Sequence, residues 1–464
     1  QPLDKYRLLM TLKRLNVDAY YYLLASFPAE LIPIIYTPTI GEACLSFGLL
    51  LVRPTGLYIS YSRHKGKVND LLQTWPSSDI RIVVVTDGER VLGLGDLGVH
   101  GMGIVTGKSD IYCAYGAVTP QSILPVSLDV GCTNAAFRKD VFYLGARSDR
   151  LRGDMYTAFV DEFMAAVASK FGPSTVVHFE DFGRSNALAL LDRYQSRSYN
   201  VFNDDIEATS CVTLAALVGS TLQRGVPPLE RQRFLFFGAG QAGIGIANLL
   251  SFALRRKGMS DKEARDRIWL FDSKGLVTLG RSNIPQSKAR YAKPGEYSSK
   301  SLQESIRSIR PTTLIGAASV PHAFNQSVIR SMAESNDRPV IFSLSNPSQR
   351  AECSATDATE WSSGAAVFAS GTPDPTAKAS TVNNALVFPA IGKGLTLSPG
   401  ITDEKLLSVS LELSSMLTSR EIRRGQVLPD VSRLGSIQSK LIDAFCGHTD
   451  STKGRPWMKY DPHK

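Results

Sequence analysis

The stretch FLFFGAGQAGIGIA, residues 234–247, decides the fold: an apolar run leads straight into a glycine turn that opens a helix. Gly238, Gly240 and Gly243 fall in the GxGxxG spacing. The first glycine permits a tight turn, the second lets a backbone approach a pyrophosphate, and the third lets the helix lie close against the strand. The helix N-terminus favours negative charge. A dinucleotide is therefore expected against Gly238, Ala239, Gly240, Ala242 and Gly243, on a Rossmann-like parallel sheet.

The pattern continues outward in both directions. Downstream, β-rich runs at 268–271, 313–315, 340–344 and 367–369 alternate with helical stretches, which together with 233–237 gives five strands in βα order. Upstream, IRIVVVT (80–86) suits a strand buried on both faces. It leads to a helix over 154–171, a strand over 175–179, a helix over 186–194, a strand over 200–203 and a long helix over 206–223. Residues 6–12 and 19–26 carry helical spacing, with Pro28 expected to end the second stretch. Late helices are expected over 406–417 and 434–446. The chain thus divides into a helical N-terminal domain (1–54), a discontinuous α/β domain (55–203 with 384–446) and a dinucleotide domain (204–383). A polar tail (447–464) is expected to contact a neighbour, and the catalytic crevice is expected between the two larger domains.

Composition narrows the class. With 464 residues, 43% of them hydrophobic, the chain has ample volume for buried cores. No run reaches the roughly 20 apolar residues of a membrane-spanning helix. The six cysteines lack CxxC pairing, which favours reduced thiols in an intracellular compartment, the cytoplasm or the mitochondrial matrix. The net charge of +9 is spread along the chain with no basic block, so small anions rather than nucleic acid are the expected partners.

Three groups of residues carry chemistry. Asp272 ends the run IWLFD where a ribose-binding acid belongs, and Ser273, Lys274, Arg281 and Lys288 follow it. Basic groups beside that acid favour a 2′-phosphate, hence NADP over NAD. Glu180 and Asp181 end one strand and Asp204 and Asp205 follow another. In a parallel sheet such ends converge, and an all-oxygen set suits Mg²⁺ or Mn²⁺. The alternative is that Asp204 and Asp205 cap the following helix. The run 86–108 holds seven glycines with Arg90 and Lys108, and reads as a long functional loop. A Lys there acts as a base if desolvation outweighs the pull of nearby carboxylates. Asn346, Asn383 and Asn384 follow strands and can donate to a carboxylate.

Taken together, IIYTPTIGEAC, VVTDGERVLGLGDLGVHGMGI, SLDVGCTN, FEDFGRSNAL, FNDDIEATS, FFGAGQAGIGIA, FDSKGL, IFSLSNPSQRAECS, FASGTPDPT and NNALVFPAIGKG resemble the motifs of malic enzymes, in that family's order. The resemblance runs from about Tyr36 to Gly400. It implies NADP-dependent oxidative decarboxylation of L-malate to pyruvate and CO₂, with oxaloacetate decarboxylation as a further activity. It makes Tyr36 the general acid and Lys108 the general base, with Asp204 supporting Lys108. Glu180, Asp181 and Asp205 would bind the divalent metal. Arg90, Asn346, Asn383 and Asn384 would hold malate carboxylates, with Asn346 also at the cofactor. A homodimer or homotetramer is the implied assembly, with no nucleic acid and no membrane. A malolactic-type reaction that releases lactate is the chemical alternative within the family, and a silent NADP-binding subunit the alternative outside it. The chain departs from the family where Val105 and Thr106 replace a Pro-Val pair and where His322 replaces a small residue. The several dozen residues that in the family precede this start contribute to subunit contacts.

Overall fold

The computed structural model describes residues 1–50, 55–373 and 379–447, so the proposed tail contact lies almost wholly outside the described residues. The described chain forms two compact units. One takes 1–205, 385–402 and 431–446; the other takes 206–384 and 403–430.

The first unit is built on five parallel strands: β1 (Leu57–Ser60), β2 (Ile82–Thr86), β3 (Ile123–Asp129), β4 (Val176–Glu180) and β5 (Val201–Asn203), in the order β1-β3-β2-β4-β5. Every residue of β2 to β5 is buried, as helices on both faces require. β1 and β3 escape the sequence reading. β3 carries Pro125 in its interior, a residue that argues against a central strand. Pro125 pairs with Val84, while pairing with β1 begins only at Val126.

Residues 1–50 belong to this same unit. Pro28 does end the helix Val17–Ser26, but it also opens the next, Pro28–Ile35, at a position where proline costs no hydrogen bond. Asp110 fastens these helices down: its buried carboxylate accepts from Lys13 Nζ (2.5 Å), Tyr20 Oη (2.8 Å) and Tyr21 Oη (2.9 Å). Asp110 sits in the helix Met102–Tyr115, which corrects the reading of 86–108 as one loop. Lys108 is mid-helix. The misleading glycines are contact points: a Cβ on Gly107 would come within 2.6 Å of the Ile35 carbonyl, and one on Gly103 within 2.7 Å of Cys44 Sγ. The substituted Val105 and Thr106 continue this helix.

The true loop between β2 and the turn Gly98–Gly101 closes around Arg150. The fully buried guanidinium donates to Asp96 Oδ1 (2.6 Å), Asp96 Oδ2 (2.9 Å) and the Asp87 carbonyl (3.0 Å), and Tyr156 Oη donates to Asp87 Oδ2 (2.6 Å).

The second unit carries seven strands: β6 (Phe234–Phe237), β7 (Ile268–Asp272), β8 (Gly275–Leu276), β9 (Thr313–Gly316), β10 (Val340–Ser343), β11 (Val367–Ser370) and β12 (Ser380–Thr381). Their order is β12-β11-β10-β9-β6-β7-β8, parallel except for β8 against β7. The five expected strands are all present; β8 and β12, two residues each, are too short to show a period. Leu235, Leu314 and Ile341 form a buried core with Phe324, Ile329 and Met332. The helix Asp403–Ser415 packs on Thr209–Ser220 within this unit, tied by Ser410 Oγ donating to the Cys211 carbonyl (2.9 Å). Residues 403–430 therefore leave the α/β domain in which the sequence reading placed them. Among the described residues, no single helix is long and apolar enough to cross a membrane.

Removing Arg150 would leave Asp87 and Asp96 buried without their cation, which costs about 3–5 kcal/mol. Arg150→Met is therefore expected to lower the melting temperature by several degrees in scanning calorimetry; an unchanged midpoint would show that the ion triad does not hold the loop.

Candidate active site

β4 and β5 are parallel neighbours, so Glu180 at the end of β4 and Asp204 just after β5 reach the same edge. Lys108 enters between them from its helix, with Nζ 2.6 Å from Asp204 Oδ2 and 3.1 Å from Glu180 Oε2. Its side chain has no solvent exposure. The ring of Phe388 lies 4.3 Å from Nζ and that of Tyr36 5.3 Å. Tyr36 is the C-cap of Pro28–Ile35 and is buried.

Asp181 turns away from β4 with a positive φ of 56°, a conformation that Asp tolerates better than most residues. Its N–H donates to Asp205 Oδ2 (3.0 Å), its Oδ1 accepts from the Leu92 N–H (3.2 Å), and its carbonyl accepts from the Arg90 N–H (3.0 Å). Its Oδ2 is buried and has no hydrogen-bond partner. Neither aspartate after β5 is the helix cap: Asp204–Ala208 is a π-turn, and the N-cap of Thr209–Ser220 is Ala208, with no side-chain bond.

The electrostatics follow from burial and crowding. Burial opposes the Lys108 charge, but Asp204 and Glu180 outweigh it and hold the ammonium well above its usual pKa. This reverses the balance under which a lowered pKa was expected. Burial pushes Glu180 up to about 8, against the pull of Lys108, with Asp204 adding to the rise. Burial and then Glu180 and Asp204 push Asp205 up to about 7. Asp181 is raised well above the carboxylate range by burial, Glu180 and Asp205. At an effective dielectric near 20, two like charges about 4 Å apart repel by about 4 kcal/mol, enough for shifts of this kind. Burial raises the Tyr36 phenol despite Lys108, so it keeps its proton.

Three residues at the site, Phe388, His178 and Tyr112, were not singled out from sequence. His178 Nδ1 lies 3.0 Å from Tyr112 Oη and Nε2 3.0 Å from Glu180 Oε2. Burial lowers this imidazole to about 3, so it is neutral. The signal was present: residues two apart on a strand share a face, which puts His178 beside Glu180.

In the second unit, Gly238 adopts φ +114°, and a Cβ there would come within 2.6 Å of the Ala317 backbone. A Cβ on Gly243 would meet the Gly238 carbonyl at 2.1 Å. Gly240 caps the helix Gln241–Arg256, which contains Ala242; Ala239 is buried in the turn. Asp272 is not free: Arg281 Nη2 donates to both its oxygens (2.9 and 3.1 Å) and Lys288 Nζ to Oδ2 (2.9 Å), while the Lys274 N–H after Ser273 donates to Oδ1 (2.9 Å). Asn346 Oδ1 accepts from Thr372 Oγ1 (2.5 Å), and Asn384, beside Asn383, donates to Thr209 Oγ1 (2.9 Å). His322 lies in a positive-φ turn, its N–H donating to the Ala351 carbonyl (3.3 Å).

Residues 13–195 match the family model "Malic enzyme, N-terminal domain" and 206–446 match "Malic enzyme, NAD binding domain". The chain belongs to the malic enzyme family. It is 43% identical over 95% of its length to a protein named NADP-dependent malic enzyme from Phaseolus vulgaris, of which it covers 76%. It is 42% identical, again over 95%, to NADP-dependent malic enzyme 4, chloroplastic, from Arabidopsis thaliana, of which it covers 69%. The fold matches an NAD-dependent malic enzyme from Thermotoga maritima with a TM-score of 0.61 and 21% identity, over 90% of this chain and 93% of that one.

The family resemblance implies a divalent metal, and the donor set here fits a hard cation. Among the described residues, His178, Glu180 and Asp204 offer ligand-type atoms that all lie within 4.8 Å of one another. Lys108 engages Asp204, however, and Tyr112 and Glu180 engage the two nitrogens of His178. The unpartnered Asp181 Oδ2, with Glu180 and Asp205 beside it, leaves an oxygen-lined site short of positive charge, as Mg²⁺ or Mn²⁺ requires. Because these acids have raised pKa values, they bind protons at neutral pH that a cation must displace. Mn²⁺ affinity is therefore expected to rise steadily from pH 6 to about 8, with proton release on binding detected by calorimetry in buffers of different ionisation enthalpy. A pH-independent affinity would exclude this cluster as the ligand set.

Proposed function

We propose that this chain catalyses the oxidative decarboxylation of L-malate to pyruvate and CO₂ with reduction of NADP, and that it also decarboxylates oxaloacetate. One observation carries the reading. A buried Lys108, with the Tyr36 ring 5.3 Å from its Nζ, lies against Asp204 and Glu180 in a crowded cluster of buried acids. The names of the relatives support the substrate and the cofactor.

A divalent cation held by Glu180, Asp181 and Asp205 would supply Lewis acidity at the substrate 2-oxygen, and NADP would supply the hydride acceptor. Lys108 cannot serve as a base while both carboxylates hold its proton. Once the charge of Glu180 is committed elsewhere, burial favours the neutral amine, leaving Asp204 to orient it. Lys108 Nζ then takes the 2-hydroxyl proton as hydride leaves carbon 2. After loss of CO₂, Tyr36 delivers its phenolic proton to carbon 3, and burial keeps that proton in place until then. Arg90, Asn346, Asn383 and Asn384 would donate to the malate carboxylates.

The basic residues after β7 support NADP. Arg281 and Lys288 neutralise Asp272 with one positive charge in excess, so a 2′-phosphate would meet net attraction instead of a bare carboxylate. Assembly as a homodimer or homotetramer is carried by the family resemblance.

The test follows NADPH absorbance with malate, with NADP and NAD in parallel, and with and without Mn²⁺. Steady NADPH formation requiring the metal supports the proposal; lactate release without net NADPH would favour the malolactic alternative. Lys108→Ala is expected to lose about 10²–10⁴-fold in kcat. Full turnover by that variant would remove Lys108 from the chemistry. Lys288→Ala is expected to raise the KM for NADP about tenfold or more and leave that for NAD unchanged, as loss of a charge-assisted contact implies. Equal effects on both would place Lys288 away from the 2′-phosphate.

A further inference from the structure

Glu352 is fully buried in the second unit and plays no part in the chemistry above. Four donors converge on its carboxylate. Ser345 Oγ (2.5 Å) and the Ala318 N–H (3.1 Å) donate to Oε1, and Ser343 Oγ (3.1 Å) and the Ser345 N–H (3.4 Å) donate to Oε2. Ser343 Oγ in turn accepts from the Glu352 N–H at 2.9 Å. Burying a carboxylate costs several kcal/mol unless such donors meet it.

These donors come from the turn after β9 (Ala318) and the end of β10 with its following loop (Ser343, Ser345), which continue beyond the last paired residues of the two strands, Gly316 and Ser343. The Ser319 N–H adds a further tie by donating to Ser345 Oγ (2.9 Å). Gly316, the last residue of β9, makes the approach feasible, since a Cβ there would come within 2.6 Å of Glu352 Cδ. The turn it fastens is the one packed on the dinucleotide loop, where a Cβ on Gly238 would meet Ala317 and Ala318 at 2.6–2.8 Å. Asn346 directly follows Ser345.

The two halves of a dinucleotide straddle the central strand of such a sheet. The adenosine half belongs with the acid and bases after β7, on one side of β6. The nicotinamide half then lies over the ends of β9 and β10, on the other side. We propose that Glu352 is a positioning residue for the nicotinamide half, holding the 317–319 turn and the Ser345–Asn346 loop at a fixed spacing. The proposal rests on the dinucleotide reading above and adds a residue whose effect is confined to one half of the ligand.

That confinement gives the test. NADPH and 2′,5′-ADP, which carries only the adenosine half, are titrated against the full chain in the wild type, Glu352→Gln and Ser345→Ala, with melting temperatures measured alongside. The amide replaces one acceptor by a donor and leaves donors around it unpaired. NADPH binding is expected to weaken about tenfold or more in Glu352→Gln and severalfold in Ser345→Ala, while 2′,5′-ADP binding stays within about twofold of wild type. Unchanged NADPH affinity in a folded variant overturns the proposal, as does equal weakening of both ligands. If Glu352→Gln does not fold, Ser345→Ala decides by the same criteria. A wild type that binds neither ligand would instead overturn the dinucleotide reading itself.

Discussion

The first unit is organised around one ammonium group out of reach of water. Lys108 Nζ is fully buried and paired with Asp204 at 2.6 Å and Glu180 at 3.1 Å. A buried charge of this kind persists only with excellent geometry, and removing either partner would leave the other group uncompensated. The neighbouring elements supply that geometry. Parallel β4 and β5 bring both carboxylates to one edge, Gly107 lets the N-terminal helices close over Lys108, and Tyr36 and Phe388 exclude solvent. Asp110, two residues beyond Lys108 and so on the other side of the same helix, anchors that helix to Lys13, Tyr20 and Tyr21, so the N-terminal helices and Lys108 share one support.

The same cluster is overdrawn in negative charge. Four acids meet there with Lys108 and Arg90 as the cations that act on them, and the carboxyls of Glu180, Asp181 and Asp205 are all raised. Such a site is costly in isolation and makes physical sense as a receptacle for a divalent cation. The cation and the lysine are then linked: whatever draws charge from Glu180 also loosens the hold on the Lys108 proton. In the mechanism we propose, resting and reactive states of the amine differ by that one redistribution.

Much of this was legible in the sequence, and the failures have physical causes. The GxGxxG turn, the five strands of the second sheet and the carboxylate pairs after β4 and β5 announce themselves through periodicity and spacing. The helix around Lys108 did not, because glycines placed for close helix contact look identical to glycines placed for turns. β3 was hidden by Pro125, tolerated at a register position where pairing with β1 has not begun. His178 was passed over because histidines scattered in sequence suggest no cluster, although the two-residue strand spacing to Glu180 was in view. The pairing of Asp272 with Arg281 and Lys288 is not legible in sequence, since it depends on how the polar chain after β8 folds back.

The most direct test of this account is the protonation state of Lys108 itself. Lysine side-chain NMR on protein labelled at Nζ, with the Lys108 signal assigned from Lys108→Arg, follows the amine against pH with and without Mg²⁺. The account predicts an ammonium that resists deprotonation beyond the ordinary lysine range in the absence of Mg²⁺, and a midpoint that falls when Mg²⁺ is added. A midpoint that is unmoved or raised by Mg²⁺ would contradict it.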